Sequence, residues 1–352
     1  MIKVAFPHLS NYAIPIKIAV ENIMKKEVIN TPLITKKTIE LGSKYAPDFV
    51  CSPFKYNLGN FIESLDMGAN LLIQAGGGCR YGYYFPLQEA ILKDLGYEFE
   101  TLSLLDKGNL NIKKLFKKFK KYNPKLNIFT FTYYLLLSIT MINKMDKIDD
   151  YIRKHIGFEI IDKSFDNLNN KYLNELKNVK RFRSLFKIHR KYNKLFKKIK
   201  TNKPKNPLKV GIVGELYTVM ENNSNHNIEK MLAKKSIEVT RYINLTYLVF
   251  KNKQTNKKLL RFKNKYDKYG LGAGGTDSVV KTLKFIKNKY DGIIHIKAAF
   301  CTPEVNAMPI LQKISKDKNI PILYFSFDTS TSDIGIKTRI EAFSDMLEMK
   351  RR

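Results

Sequence analysis

The chain has 352 residues and carries 63 Lys and Arg against 32 Asp and Glu, a formal net charge of +31 at pH 7. That length exceeds one average domain and is ample to bury a core. Its three cysteines, Cys51, Cys79 and Cys301, form no CxxC pair and no even framework, which excludes a disulfide scaffold and the zinc-ribbon, thioredoxin and ferredoxin spacings.

Taken in order, residues 1–105 alternate strand-like and helix-like runs. Ile2–Phe6 reads as a first strand rather than a secretory leader. Ala13–Lys25 and Lys36–Lys44 have helical periodicity, Phe49-Val50 is a strand end running into Cys51, and Phe61–Met67 continues a helix. Leu71–Gln74 is a buried strand, Pro86 onward opens a helix through Leu95, and Phe99–Leu105 is strand-like. Such alternation predicts βαβ units and a parallel sheet covered on both faces. Residues 106–206 change character. Asn111–Lys125 is an amphipathic lysine-rich helix, and Lys177–Lys205 is more basic still, so this region reads as a basic helical bridge whose charges form a solvated face. The longest uncharged stretch, Leu126 to Asn143, is laced with Thr, Ser, Asn and Tyr; it reads as a buried helix, not a membrane span. Pro204 and Pro207 mark a boundary. Residues 207–352 then repeat the first architecture: strands at Leu208–Gly214, Glu238–Asn244, Gly292–Phe300 and Ile320–Phe327, and helices at Asn227–Lys234, Asp277–Tyr290 and Ile334–Met349. Asn252–Tyr269 is polar and expected to be exposed. The predicted fold is α/β, with two doubly wound parallel-sheet domains, 1–105 and 207–352, flanking the helical segment.

The chemistry concentrates on the cysteines. Gln74-Ala75-Gly76-Gly77-Gly78-Cys79-Arg80 follows a strand, and glycines there let the backbone approach a ligand while successive N–H groups make an anion-binding concavity. Each cysteine is expected just past the carboxyl end of a strand, the edge where open α/β sheets bind ligands. Three thiols converging on one cleft suit a soft metal. Zinc would need a fourth ligand, for which His8 is placed; His295, inside a strand, reads as core, and His226 as an exposed loop residue. An iron–sulfur cluster suits the set better. The N–H groups of Gly76, Gly77 and Gly78 can donate to sulfides, while Lys55 and Arg80 would favour thiolates and offset cluster charge. Glu215, Glu304 and Asp328 lie at strand ends, where proton transfer competes with helix capping and salt bridges. The +31 charge follows a chain-wide use of Lys with Asn and Ile, and no groove-reading motif accompanies it. Nucleic acid is therefore not expected as a partner. The alternatives are a basic polyanion-binding protein using residues 177–205 and a zinc protein built on the three cysteines.

With these residues in view, the chain resembles the 2-hydroxyacyl-CoA dehydratase and benzoyl-CoA reductase family, closest to its CoA-protein-activase-related branch. The likeness is carried by Phe6-Pro7-His8, by Cys51-Ser52-Pro53-Phe54-Lys55-Tyr56-Asn57-Leu58-Gly59-Asn60, by Gln74 to Tyr84 and by Gly211 to Thr218. Phe300-Cys301-Thr302-Pro303-Glu304 and Thr338-Arg339-Ile340-Glu341-Ala342-Phe343 complete it. The resemblance implies a [4Fe–4S] or double-cubane [8Fe–9S] cluster on Cys51, Cys79 and Cys301. It also implies a separate ATP-hydrolysing activator that injects a low-potential electron, and a homodimer or paralogous subunit. The chemistry it implies is reduction of a bound thioester to a ketyl radical, from which the hydroxyl leaves: lyase chemistry of an anaerobic, cytoplasmic enzyme. Candidates for its acid–base residues are Glu304, Glu215 and His8.

Overall fold

The computed structural model describes residues 1–75, 81–105, 111–251 and 266–351. They form two compact units: Met1–Met141 with Val179–Phe182, and Ile142–Asn178 with Arg183–Arg352. Each unit has its own four-stranded sheet, and every strand pairing is parallel. The expected α/β class with two parallel sheets is the fold the chain adopts. Gly76, Gly77, Gly78, Cys79 and Arg80 lie outside the described residues, as does most of the stretch read as polar and exposed, Asn252–Tyr269.

In the first unit, β1 (Lys3–Ala5), β2 (Glu27–Val28), β3 (Leu71–Gln74) and β4 (Glu100–Ser103) take the order β2-β1-β3-β4. Two-residue β2 is too short to leave a readable alternation and was not expected from the sequence. All four residues of β3 are buried, as a parallel strand covered on both faces requires. Helices α1 (Ala13–Met24) and α5 (Ile112–Tyr122) cover one face, where Val4, Phe6, Leu71 and Ile73 pack with Ile23, Met24, Leu115 and Phe119. The spacing of Leu115 and Phe119 turns one stripe of lysine-rich α5 inward, and the Asn111 side chain caps it by accepting the Lys114 N–H at 3.1 Å.

Helices α2 (Lys36–Tyr45) and α3 (Ser52–Asp66) meet backbone to backbone. A Cβ on Gly59 would lie 2.0 Å from the Thr38 carbonyl oxygen, and one on Gly42 would lie 1.8 Å from that of Lys55. Gly59→Val is therefore expected to cost about 1–3 kcal/mol, the range for overpacking a tight contact. Urea unfolding checks it, and an unchanged midpoint would contradict the contact. Two expectations are corrected here. Phe49-Val50 is not a strand: residues 48–50 form a turn and bend after α2, and the helical run around Phe61 begins at Ser52. Helix α4 (Tyr81–Asp94) begins upstream of Pro86, which sits inside it. Its missing N–H leaves the i→i−4 bond at that position without a donor.

The basic middle of the chain is helical, with α6 (Ile128–His155), α7 (Ser164–Leu176) and α8 (Phe182–Lys198). The uncharged stretch read as a buried helix is amphipathic instead. It buries Phe131, Leu137 and Met141 but leaves Phe129 84% exposed and Leu136 50% exposed. In the second unit α8 buries Leu185, Tyr192 and Phe196; Phe196 stacks on Phe165 and Tyr192 packs on Tyr172. The carboxyl half of α6 is held by polar contacts: Asp146 accepts the Thr246 N–H at 3.0 Å, and Arg153 pairs with Glu229 at 3.9 Å. Burial pushes Asp149 up to about 6, against the pull of Arg153 and Arg241.

Burial, then Lys144 and Lys147, hold His189 of α8 down at about 4. Its folded pKa is thus below that of the unfolded chain, so below pH 6.5 the unfolded state binds more protons. Stability is expected to be lost as pH falls from about 6.5 to about 4, by on the order of 1–2 kcal/mol for a partly exposed ring. Denaturation midpoints of wild type and His189→Gln across that window check this. The acid-side loss should shrink in the variant.

The second sheet comprises β5 (Leu208–Gly214), β6 (Ile237–Arg241), β7 (Gly292–Ala298) and β8 (Ile322–Phe327), in the order β6-β5-β7-β8. Helices α9 (Leu216–Met220), α10 (Ile228–Ala233), α11 (Gly275–Lys287), α12 (Thr302–Lys318) and α13 (Asp333–Arg351) surround it. Val213, Phe285 and Ile293 form one core cluster, and Val279, Ala307, Leu311 and Ile314 another. Gly214 ends β5 at φ 141°, and a Cβ there would stand 1.7 Å from the Ile296 carbonyl oxygen. Only glycine lets the chain leave β5 this close to β7.

Candidate functional site

In both sheets the strand order reverses beside the first strand, between β1 and β3 and between β5 and β7. In open α/β sheets the crevice outside the carboxyl ends at such a reversal is where ligands bind. In the first unit β1 leads to Phe6-Pro7-His8 and β3 to Ala75 and the undescribed residues 76–80. In the second, β5 leads to Gly214-Glu215 and β7 to Cys301-Thr302-Pro303-Glu304.

Cys51 reaches the edge of its sheet by a different route from the one expected. It follows a turn, not a strand, and is the N-cap of α3, with Pro53 in the helix's first turn. Gln88 ties the first turn of α3 to Gln74 at the carboxyl end of β3. Cys51 is buried, and the Tyr84 hydroxyl in the first turn of α4 donates to its Sγ at 3.1 Å. Tyr84 also packs edge-on against Phe54, with ring centroids 4.8 Å apart. A helix N-terminus and an O–H donor both favour a thiolate. Lys55 stands one turn along α3 and is partly buried. Gln74 and Gln88 brace the neighbouring strand end: Gln74 Nε2 donates to Gln88 Oε1 at 2.9 Å, and Gln88 Nε2 donates to the Phe54 carbonyl at 3.1 Å. His8 is buried, its main-chain N–H donates to Asn60 Oδ1 at 3.0 Å, and its Nδ1 accepts the Ser10 N–H at 3.3 Å.

Cys301 repeats the Cys51 motif in the second unit. It is the N-cap of α12, again with a proline, Pro303, in the first turn, and neither cysteine caps its helix through sulfur. Both helices therefore open Cys-Ser/Thr-Pro. The preceding Phe300 has φ 62°, a left-handed turn between β7 and the helix. Lys297, at the end of β7, is held below its ordinary range by burial, against the attraction of Cys301 and Glu304, and donates to Ser326 Oγ at 2.8 Å.

The carboxylates at this edge have definite partners. Glu304 is 1% exposed, and its Oε2 accepts from His295 Nε2 at 2.8 Å and Ser278 Oγ at 2.9 Å. His295 Nδ1 has no partner among the described residues, so the hydrogen bond to Glu304 puts the ring proton on Nε2. Glu304 Oε1 has no partner among the described residues and lies beside the glycine loop of Gly270, Gly272, Gly274 and Gly275 that leads into α11, 3.0 Å from where a Gly274 Cβ would stand. Glu215 caps α9, accepting from the Tyr217 N–H at 2.9 Å and from the Thr218 N–H and Oγ1 at 2.8 and 2.6 Å. Burial raises its pKa against those three donors. Asp328 accepts from Ser330 and Thr331 within its own turn. The contact of Tyr84 with Cys51 and the pairing of His295 with Glu304 were not foreseen from the sequence. A tyrosine ten residues past a strand and a histidine inside one carry no local signal of their partners.

Among the described residues, no three His, Cys, Asp or Glu side chains gather as a metal site; Cys79, the third thiol, lies outside them. The donor chemistry of the two described cysteines nonetheless fits a soft metal centre: both are helix N-caps, and Cys51 accepts a hydrogen bond from the Tyr84 hydroxyl. No helix among the described residues is long and apolar enough to cross a membrane.

Residues 277–347 match the family described as 2-hydroxyglutaryl-CoA dehydratase, D-component. The matched stretch runs from the first turn of α11 through Cys301 and Glu304 into α13. No curated protein matches the chain.

Proposed function

We propose that the chain is an iron–sulfur protein of the 2-hydroxyacyl-CoA dehydratase type, with Cys51, Cys79 and Cys301 as the cluster ligands. One observation supports this most: the two described cysteines, far apart in sequence, each cap a helix that opens Cys-Ser/Thr-Pro at the carboxyl edge of a parallel sheet. When bound, such a cluster supplies single electrons at low potential. The protein's own groups prepare for it. The partial positive charge of each helix start and the Tyr84 hydroxyl stabilise thiolates, and Lys55, Lys297 and Arg80 offset negative charge. The N–H groups of Gly76, Gly77 and Gly78 are the candidate donors to sulfide. Glu304 and Glu215 are the candidate groups for holding or moving a proton at a substrate oxygen, and His8 is the third. In this reading the electron donor is an ATP-hydrolysing activator protein, and a second copy or a related subunit completes the assembly.

The test is anaerobic mixing of the protein with an activator of this family, a chemical reductant and ATP. An ATP-dependent change in visible absorbance is the expected result. No change beyond that of the activator alone would remove the electron-accepting role. A colourless protein with one tightly held zinc would favour a zinc site on the same cysteines instead.

A further inference from the structure

The face of α8 opposite its core contacts is occupied by cations alone. Helix α8 contains no Asp or Glu. Arg183, Lys187, Arg190, Lys191, Lys194, Lys197 and Lys198 are all exposed and, at 3.6 residues per turn, share an arc of about 120°. Leu185, Tyr192 and Phe196 form the buried stripe on the other side. Lys191 pairs with Glu175 of α7; the other six have no acidic partner among the described residues. Elsewhere the excess charge of this chain is lysine, but three of its ten arginines fall within residues 181–190. General lysine usage does not account for them. The field is felt at His189, whose depressed pKa reflects burial first and then Lys144 and Lys147 of α6. Lys144 lies over the ring of Phe186, which is 47% exposed at the margin of the basic arc.

We propose that this face binds the sugar–phosphate backbone of a single-stranded nucleic acid, without sequence preference. From Arg183 to Lys198 the helix rises about 22 Å at about 1.5 Å per residue, one cation per roughly 3.5 Å. A strand of nucleic acid carries one negative phosphate at every nucleotide. A continuous face of uncompensated cations is complementary in charge to such a chain, and arginines add bidentate phosphate contacts. Phe186, 47% exposed beside the arc, adds an apolar side chain that a base can contact. The face holds no arrangement of Asn or Gln for reading base edges, so affinity rests on phosphate neutralisation.

The experiment is fluorescence anisotropy of a labelled mixed-sequence single-stranded oligonucleotide with the full chain, over a salt series. Wild type is expected to bind with log K falling against log salt at a slope of about −4, for six cations at roughly −0.7 each. R183E/R190E/K194E should weaken binding at least tenfold and flatten the slope. K313E/K316E/K318E, on the exposed side of α12, changes the net charge equally and should stay within twofold. Circular dichroism confirms folding, and the milder R190Q, expected to weaken binding a few-fold, serves if the triple variant does not fold. Equal loss in both triple variants would overturn the proposal in favour of undirected attraction to net charge. It would also be overturned if the α8 variant lost affinity for polyglutamate but kept it for the oligonucleotide, which would make the occupant an acidic protein. None of these outcomes bears on the cysteine site.

Discussion

Replacing Glu304 by alanine is expected to destabilise the second unit by about 2–4 kcal/mol, the cost of stranding buried hydrogen-bond donors and leaving a cavity. Glu304 and His295 are both essentially inaccessible to solvent, and their 2.8 Å hydrogen bond is joined by Ser278 at 2.9 Å. With the carboxylate gone, the His295 Nε2–H is a buried donor without an acceptor and a cavity opens under the glycine loop. His295→Ala should cost a similar amount, and the double variant less than the two together, because it leaves neither group stranded. Glu304→Gln keeps an acceptor oxygen and should lose least. Urea unfolding of the four variants measures this. A loss below about 1 kcal/mol in Glu304→Ala would show that the pair does not hold the edge together.

Alanine at Cys51 or Cys301 is expected to abolish tight iron binding while leaving the fold in place. Three cysteines are the minimum set in this reading, so losing one removes a third of the thiolate donors. Cys301 is a partly exposed N-cap that makes no side-chain capping bond, and its removal should change stability by only about 1 kcal/mol or less. Cys51 is buried against Tyr84, so Cys51→Ala should cost more. Iron retained per chain after gel filtration separates the effects. Full iron in either variant would take that cysteine out of the ligand set.

Much of the scaffold was legible because parallel strands are buried on both faces and announce themselves as apolar runs. Leu71–Gln74, Leu208–Gly214 and Gly292–Ala298 stand out in this way. What escaped was short or non-local. Two-residue β2 has no period to read. Phe49-Val50 has the composition of a strand end, but Pro47 and the approach of α2 to α3 turn it into a bend. Pro86 looked like a helix opening because proline favours first turns, whereas here the helix begins five residues earlier. The cysteines at the sheet edges were visible as residues, and Cys301 follows its strand as read; Cys51 reaches the edge as a helix cap. Tyr84 against Cys51 joins residues 33 apart, and Gly214 against Ile296 is 82 residues away in sequence. Contacts of that span depend on the closed sheet and leave no local trace.

The most direct measurement is the iron, acid-labile sulfide and zinc content of the anaerobically purified full chain, with its visible spectrum. A brown protein with several irons and matching sulfides per chain is the expected result. A colourless protein, metal-free even after anaerobic reconstitution with iron and sulfide, would contradict the cluster assignment to Cys51, Cys79 and Cys301.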